Sequence, residues 1–356
     1  MKKFLIIVSF IFLIFIFGCD RFYEKNDKET LKSKPTFVVL ADGDSQLTLL
    51  DKKMNVVKKI NNQNKFQNFA LGEDNDLIYA LEDGTYMGTA PSMHIINIFN
   101  GNIEKKIELP NIPSTFLVFE NKAYIASSEI FSEGMPFFTI NLSNGKIEET
   151  IFTKGMVSTI KQYNGEIYLT INSGGTDLFG EFSNIFRLQN KNNKFEINPL
   201  IEDKIELPPS DFVVENNKLF CVFTGFSYGP KPEWVQDPER YTNKFMIVDM
   251  NNGRIINEKN LAKPFPQKMI SVGNYFYINN YTDLDMQGEF ITVLNKTDLQ
   301  ESFISIKNPA YFDYNSKLEG FLVSNPENGT LQFLKNRKIV KKIKVGKNSS
   351  IVKSVF

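Results

Sequence analysis

From Thr36 onward the chain alternates short apolar runs with tight polar turns. One unit recurs seven times: an apolar strand, a polar turn and a second apolar strand. The copies run 47–60, 95–109, 138–152, 185–200, 246–261, 291–306 and 331–345. Their turns are about 47 residues apart, and a fixed period of that size marks a repeat architecture. Asn100-Gly101, Asn144-Gly145 and Asn252-Gly253 are predicted to form type I′ hairpin turns, since Asn-Gly tolerates positive φ. A second hairpin precedes each copy after the first, its outer strand carrying Ile78-Tyr79, Ala123-Tyr124, Ile167-Tyr168, Leu219-Phe220, Phe276-Tyr277 or Gly320-Phe321.

Each repeat therefore holds four antiparallel strands in about 45 residues, the signature of a β-propeller blade. Period-2 patterning rich in Phe, Tyr, Ile and Val excludes a solenoid of helix pairs. The first repeat lacks an innermost strand, because Thr36-Phe-Val-Val-Leu already reads as a second strand. The segment 349–356 supplies one strand without a blade of its own. The expected fold is all-β, a seven-bladed propeller over 36–356 in which this C-terminal strand completes the first blade and removes open sheet edges.

Phe276-Tyr277-Ile278-Asn279-Asn280 followed by Ile291-Thr-Val-Leu294, and Met246-Ile-Val-Asp249 with Gly253, resemble the unit of the YVTN-type propeller family. The resemblance implies a quinoprotein-dehydrogenase-like or lactonase-like propeller; fold alone does not carry function across. The chain does not match the acidic and Asn metal set of the lactonase-type enzymes. With one Trp it has no quinone-generating Trp pair.

The N-terminus has a different pattern. Lys2 and Lys3 precede an apolar run, 4–17, too short to span a bilayer, as in a signal peptide. Ile16-Phe17-Gly18-Cys19 resembles a bacterial lipobox, with a bulkier residue than usual at Phe17. The resemblance implies cleavage after a 1–18 signal peptide and lipidation (diacylglycerol, with palmitate-type chains) of Cys19. Residues 19–35 then form a charged tether. The expected location is extracytoplasmic, anchored to the cell membrane in the envelope. Asp20 resembles an inner-membrane retention signal if the cell is Gram-negative and means nothing otherwise.

The 41 basic and 41 acidic residues give no reason to expect a nucleic-acid partner. Losing Lys2 and Lys3 with the leader leaves 39 against 41. One His and two Cys exclude a multi-His zinc site, a CxxC pair and a disulfide framework. No cofactor is expected; Asp283-Leu-Asp285 starts like a calcium loop, but its twelfth position is Leu294 instead of Glu, and Asp42-Gly-Asp44 is a weaker cue still. His94 reads as a structural His and Cys221 as a buried small hydrophobe.

The loops joining second to third strands are longer in five consecutive repeats, and all should open on one face around the central channel. They carry Tyr86, Phe131, Phe179, Tyr228, Trp234, Tyr241 and Tyr281 among acids including Asp177, Asp283 and Asp285. Aromatics with carboxylates suit a protein partner or sugar rings; the alternative is that the rings only cap their own blades. The 224–243 loop, with the only Trp, is a partner-binding candidate or a passive lid. Lys58, Lys59, Lys341, Lys342 and Lys344 should form a rim patch between the first and last blades, for anionic headgroups or simply edge protection. The preferred expectation is a binding or assembly module with an envelope protein or glycan partner. The alternative is a carboxylate-based enzyme of lactonase, lyase or glycan-hydrolase type. A transporter's substrate-binding lipoprotein is disfavoured, because the helical periodicity of its usual two α/β lobes is missing.

Overall fold

A computed structural model describes residues 31, 33–41, 45–62, 64–84, 88–172, 183–191, 194–201, 209–223, 243–280 and 290–355. They build seven four-stranded antiparallel sheets. Blade 1 runs outward as β28 (Ser349–Ser354), β1 (Phe37–Ala41), β2 (Gln46–Leu50) and β3 (Val56–Asn61). Blade 2 is β4 (Phe66–Leu71), β5 (Leu77–Glu82), β6 (Ser92–Asn97) and β7 (Ile103–Glu108). Blade 3 is β8 (Pro113–Phe119), β9 (Lys122–Ser127), β10 (Met135–Asn141) and β11 (Ile147–Thr153). Blade 4 is β12 (Met156–Tyr163), β13 (Glu166–Asn172), β14 (Ser183–Lys191) and β15 (Lys194–Pro199). Blade 5 is β16 (Pro209–Glu215), β17 (Lys218–Phe223), β18 (Lys244–Asp249) and β19 (Arg254–Asn260). Blade 6 is β20 (Pro266–Val272), β21 (Tyr275–Asn280), β22 (Phe290–Asn295) and β23 (Glu301–Ser305). Blade 7 is β24 (Tyr311–Asn315), β25 (Gly320–Asn325), β26 (Thr330–Lys335) and β27 (Lys338–Lys344).

The inner strands β4, β8, β12, β16, β20, β24 and β28 each touch the next, and β28 touches β4, so the ring closes. The clasp is β28 on β1, with Phe37 opposite Ser354 and Val39 opposite Val352. The fold expected from the repeat is thus present, including the C-terminal strand in the first blade. A hydrophobic cluster fills each of the seven junctions between blades. Both faces of a middle strand lie against neighbouring blades, so β2 and β25 are buried along their whole length. Outer strands such as β7 (IEKKIE) are mostly exposed.

Two local expectations are corrected. Gly101, Gly145 and Gly253 take φ of 66°, 75° and 66°, but Asn100, Asn144 and Asn252 do not. A type I′ turn needs positive φ at both residues. In these longer connections only the Gly is left-handed, and the Asn side chain accepts a backbone N–H two residues on, as in Asn102 N–H to Asn100 Oδ1 at 2.8 Å. Turns with two successive positive-φ residues occur instead at Glu120-Asn121, Asn164-Gly165, Asn216-Asn217 and Asn336-Arg337. The connections of the seven hairpins reach five residues, because several outer strands start with a bulge.

The lysine rim patch is likewise modified. Lys58 Nζ donates to the carbonyl of Asn100 in the next blade's turn, and Lys105 Nζ reaches the Leu142 and Ser143 carbonyls at 3.0 Å. Lys259 does the same to Leu299, and Lys341 to Lys53 across the closure. At these four junctions the lysine staples one blade's outer strand to the next blade's hairpin. A Cβ on Gly101 would sit 2.5 Å from Lys58 Cδ, so that glycine also makes room for the lysine stem.

Candidate functional site

The second strands end, and the third begin, on the face where the loops are long. The terminal residue of the second strand is polar in five blades: Glu82, Ser127, Asn172, Asn280 and Asn325. Three of these side chains, Glu82, Asn280 and Asn325, tie down the crossover that arrives from the preceding blade. Asn280 Nδ2 donates to the carbonyls of Lys263 and Pro264 at 3.3 and 2.8 Å, while its Oδ1 accepts from Thr292. Asn325 Nδ2 donates to Lys307 O at 2.9 Å. Buried carbonyls of an irregular crossover need partners, and the Asn that ends β21 or β25 supplies them.

Glu82 performs the same task with a charge. Its carboxylate is fully buried and accepts from Asn62 and Asn64 Nδ2 and from His94 Nε2 at 2.9, 2.5 and 2.6 Å. Burial alone raises its pKa, but these donors and the nearby imidazole outweigh it and hold the carboxyl below its usual range. His94 is 5 % exposed, its ring edge-on to Phe66. Burial lowers its pKa against the pull of Glu82. Ser92, His94 and Glu82 do not form a nucleophile relay. Ser92 Oγ and Glu82 Oε2 meet the same nitrogen, Nε2, at 3.1 and 2.6 Å, and Nδ1 is buried without a partner. A relay needs hydroxyl and acid on opposite ring nitrogens. The structural reading of His94 therefore stands.

Below this face the inner strands share a device. In six of the seven, two residues oppose one on the second strand: Gln67-Asn68, Ser114-Thr115, Ser158-Thr159, Ser210-Asp211, Gln267-Lys268 and Ser350-Ile351. Such a bulge leaves ladder groups unpaired and re-aims side chains. Ser or Gln always stands first: Ser114 Oγ donates to Ala126 O at 3.2 Å, and Ser158 and Thr170 hydroxyls meet at 2.7 Å.

The second bulge position brings charge to the channel in blades 5 and 6, as Asp211 and Lys268. Lys161 Nζ meets Asp211 Oδ1 at 2.6 Å and donates to Phe212 O at 2.5 Å, and Met269 N–H donates to Asp211 Oδ2 at 2.9 Å. Asp313 Oδ2 accepts from Ser354 N–H at 2.6 Å. Both carboxylates thus bridge neighbouring blades. Lys268 is reached by solvent yet enclosed by the channel walls, its ammonium 4.8 Å from the Tyr311 ring centroid. Enclosure and the like charge of Lys353, with a smaller push from Lys161, bring its pKa down to about 8 against the attraction of Asp211 and Asp313. Among the described residues no carboxylate pairs with Lys268 or Lys353.

Sequence reasoning missed Lys161, Asp211, Lys268, Asp313 and Lys353. The signal was available in Pro209-Ser-Asp-Phe212 and Pro266-Gln-Lys-Met269, which place a charge where the other bulges carry Asn68, Thr115, Thr159 and Ile351. Of the residues picked from the loops, Phe131 is described. It sits in a tight hairpin closed by Phe131 N–H to Gly134 O at 2.9 Å, and the residue is 42 % exposed. Gly134 is required there: φ is 134°, and a Cβ would lie 2.4 Å from Thr153 O. Tyr86, Asp177, Phe179, Tyr228, Trp234, Tyr241, Tyr281, Asp283, Asp285 and Cys19 lie outside the described residues. Cys221 is buried, and burial pushes its thiol far above the usual range.

No protein-family profile matches the chain. A stretch of 136 residues, 38 % of the chain, is 26 % identical to the DNA-directed RNA polymerase subunit beta'' of Physcomitrium patens, but spans only 10 % of that protein's length. Solved structures resemble the whole ring. A functionally unknown protein from Desulfotomaculum acetoxidans superposes with a TM-score of 0.65 at 10 % identity, over 90 % of this chain and 98 % of its own. A putative 6-phosphogluconolactonase from Bacteroides uniformis gives 0.63 at 10 % identity, over 90 % and 100 %. BamB from Moraxella catarrhalis gives 0.52 at 8 % identity, over 90 % and 89 %. At these identities the likeness shows the propeller fold alone.

Proposed function

We propose that this chain is a lipid-anchored, extracytoplasmic binding or assembly module that takes an acidic partner, protein or glycan, at the channel mouth of its long-loop face. The observation that carries this reading is the pair of channel cations, Lys268 just beneath that face and Lys353 toward the other end of the channel, which have no carboxylate partner among the described residues. Enclosed like charges repel, and an incoming anion relieves the repulsion. The tied-down crossovers supply a stiff platform, and Phe131 an exposed aromatic contact.

Orientation supports the reading. Strand β1 starts on the short-turn face, and Leu31 N–H donates there to the carbonyl of Phe99, in the hairpin turn of blade 2. From Cys19 to Leu31 the chain can reach at most about 40 Å. A lipid on Cys19 would attach the chain from the side of the short-turn face and leave the long-loop face free for partners. The carboxylate-enzyme alternative has less support, because Asp211 and Asp313 are occupied by lysine or backbone N–H groups.

The test is retention of the detergent-extracted chain on poly-glutamate and on polygalacturonate beads. Binding to one matrix is expected at pH 7, and Lys268→Glu should weaken it roughly tenfold or more. Lys268 is charged below about pH 8, so retention should fall as the pH is raised from 7 to 9.5. Cys19→Ser should release the chain from the membrane fraction. No retention on either matrix, or an unchanged Lys268→Glu, would sink the proposal.

A further inference from the structure

At the junction of blades 6 and 7 the lysine staple is replaced. Ser302 on β23 lies opposite Val293, the register that Lys58 and Lys105 hold opposite Leu49 and Ile95. The contact is reversed: Arg337, from the hairpin turn of blade 7, donates Nη1 back to Ser302 Oγ at 3.3 Å. Without a lysine stem, a cleft of about 370 Å³ opens on the short-turn face. Its floor is aromatic. The Tyr277 and Phe321 ring centroids are 4.3 Å apart, and Tyr314 and Phe321 are 4.9 Å apart. Ile304, two residues along β23 from Ser302, adds an aliphatic wall. Polar groups gather at the rim: Asn336, Arg337 and Glu319. Glu319 turns toward Lys335 at 3.7 Å. Arg337 also stacks on Tyr275, 6.0 Å from its centroid, and with one hydrogen bond used it keeps most of its five donors for a ligand.

We propose that this cleft binds a small aromatic carboxylate, with its ring on the Tyr277–Phe321–Tyr314 floor and its carboxylate on Arg337. Flat rings favour offset or tilted packing on such a floor. The guanidinium fork matches a carboxylate. The volume falls in the range of small-molecule sites, which are mostly apolar with a few placed polar groups. A sugar acid can stack its C–H face on the same rings, but the cleft offers its hydroxyls few partners beyond the rim groups Asn336 and Glu319. The site lies on the face opposite the channel mouth and does not depend on the function proposed above.

The probe is indole-3-acetate, titrated into the full chain by calorimetry, with indole-3-acetamide and glucuronate alongside. Indole-3-acetate should bind with a Kd below about 1 mM. Arg337→Gln should weaken it about tenfold or more, and the amide and glucuronate should bind at least that much more weakly. Ser302→Lys introduces the stem found at four other junctions and should abolish binding while thermal stability is kept. The proposal is overturned if indole-3-acetate does not bind, or if it binds Ser302→Lys as well as wild type. Equal binding of the acid and the amide would overturn it too.

Discussion

Deleting residues 349–356 is expected to leave a chain that aggregates instead of folding as a soluble monomer. The segment is the inner strand of blade 1, although it lies more than 300 residues from the strand it pairs with. Its loss uncovers the whole inner edge of β1 and breaks contact with β24 on one side and β4 on the other. Val352 and Val355, 2 % and 0 % exposed, leave two different junction clusters. Two buried valines contribute about 3–6 kcal/mol. The lost ladder bonds add about 1 kcal/mol each. The sum rivals the roughly 5–15 kcal/mol that holds a typical domain together. The exposed edge would then template pairing with other chains. Soluble yield and size-exclusion profile check this, and a peptide of residues 349–356 supplied in trans should restore part of the monomer. A truncated chain that stays monomeric and unfolds within a few degrees of the full one would show that the closure carries little.

The second large effect is at Glu82. Glu82→Ala leaves the Asn62, Asn64 and His94 donors unsatisfied around a buried hole, at about 1–3 kcal/mol for each donor that finds no new partner. Glu82→Gln keeps the shape and one acceptor, so a loss of about 1–2 kcal/mol is expected. The wild type should also weaken in acid, for two reasons with the same sign. His94 is held below its ordinary 6.5, so below that pH the unfolded chain takes up a proton that the folded one refuses. Glu82 is held below its ordinary 4.5, so its contribution is present above that pH and lost as the pH falls through its lower folded value. Urea unfolding at pH 7, 5.5 and 4 measures both. Glu82→Ala within about 1 kcal/mol of wild type at pH 7 would remove the carboxylate from its structural role.

The candidate site was less legible than the fold. Phe131 could be picked because an aromatic in a polar loop has no core to enter. The lysines and aspartates of the channel were hidden inside strands, where a charge ordinarily marks a solvent-facing position. A bulge shifts the alternation by one residue, so Lys268 and Asp211 cannot be assigned a side by counting in twos. Two of the rim lysines have a role that an outer strand does not reveal. Lys58 and Lys341 lie on exposed outer strands, but their stems cross to carbonyls of the neighbouring blade.

The period of the repeat, the alternation within strands and the Gly and Asn turns are local properties, written every few residues and read without knowing what lies nearby. They determined the propeller, the number of blades and the need for a closing strand. Strand ends, bulge direction and the partners of buried charges depend on groups far apart in the chain. Asp211 meets Lys161 and Met269 from two other blades, and Ser302 meets Arg337 across the junction of blades 6 and 7. Those juxtapositions come into being when the ring closes, so the tertiary structure alone decided them.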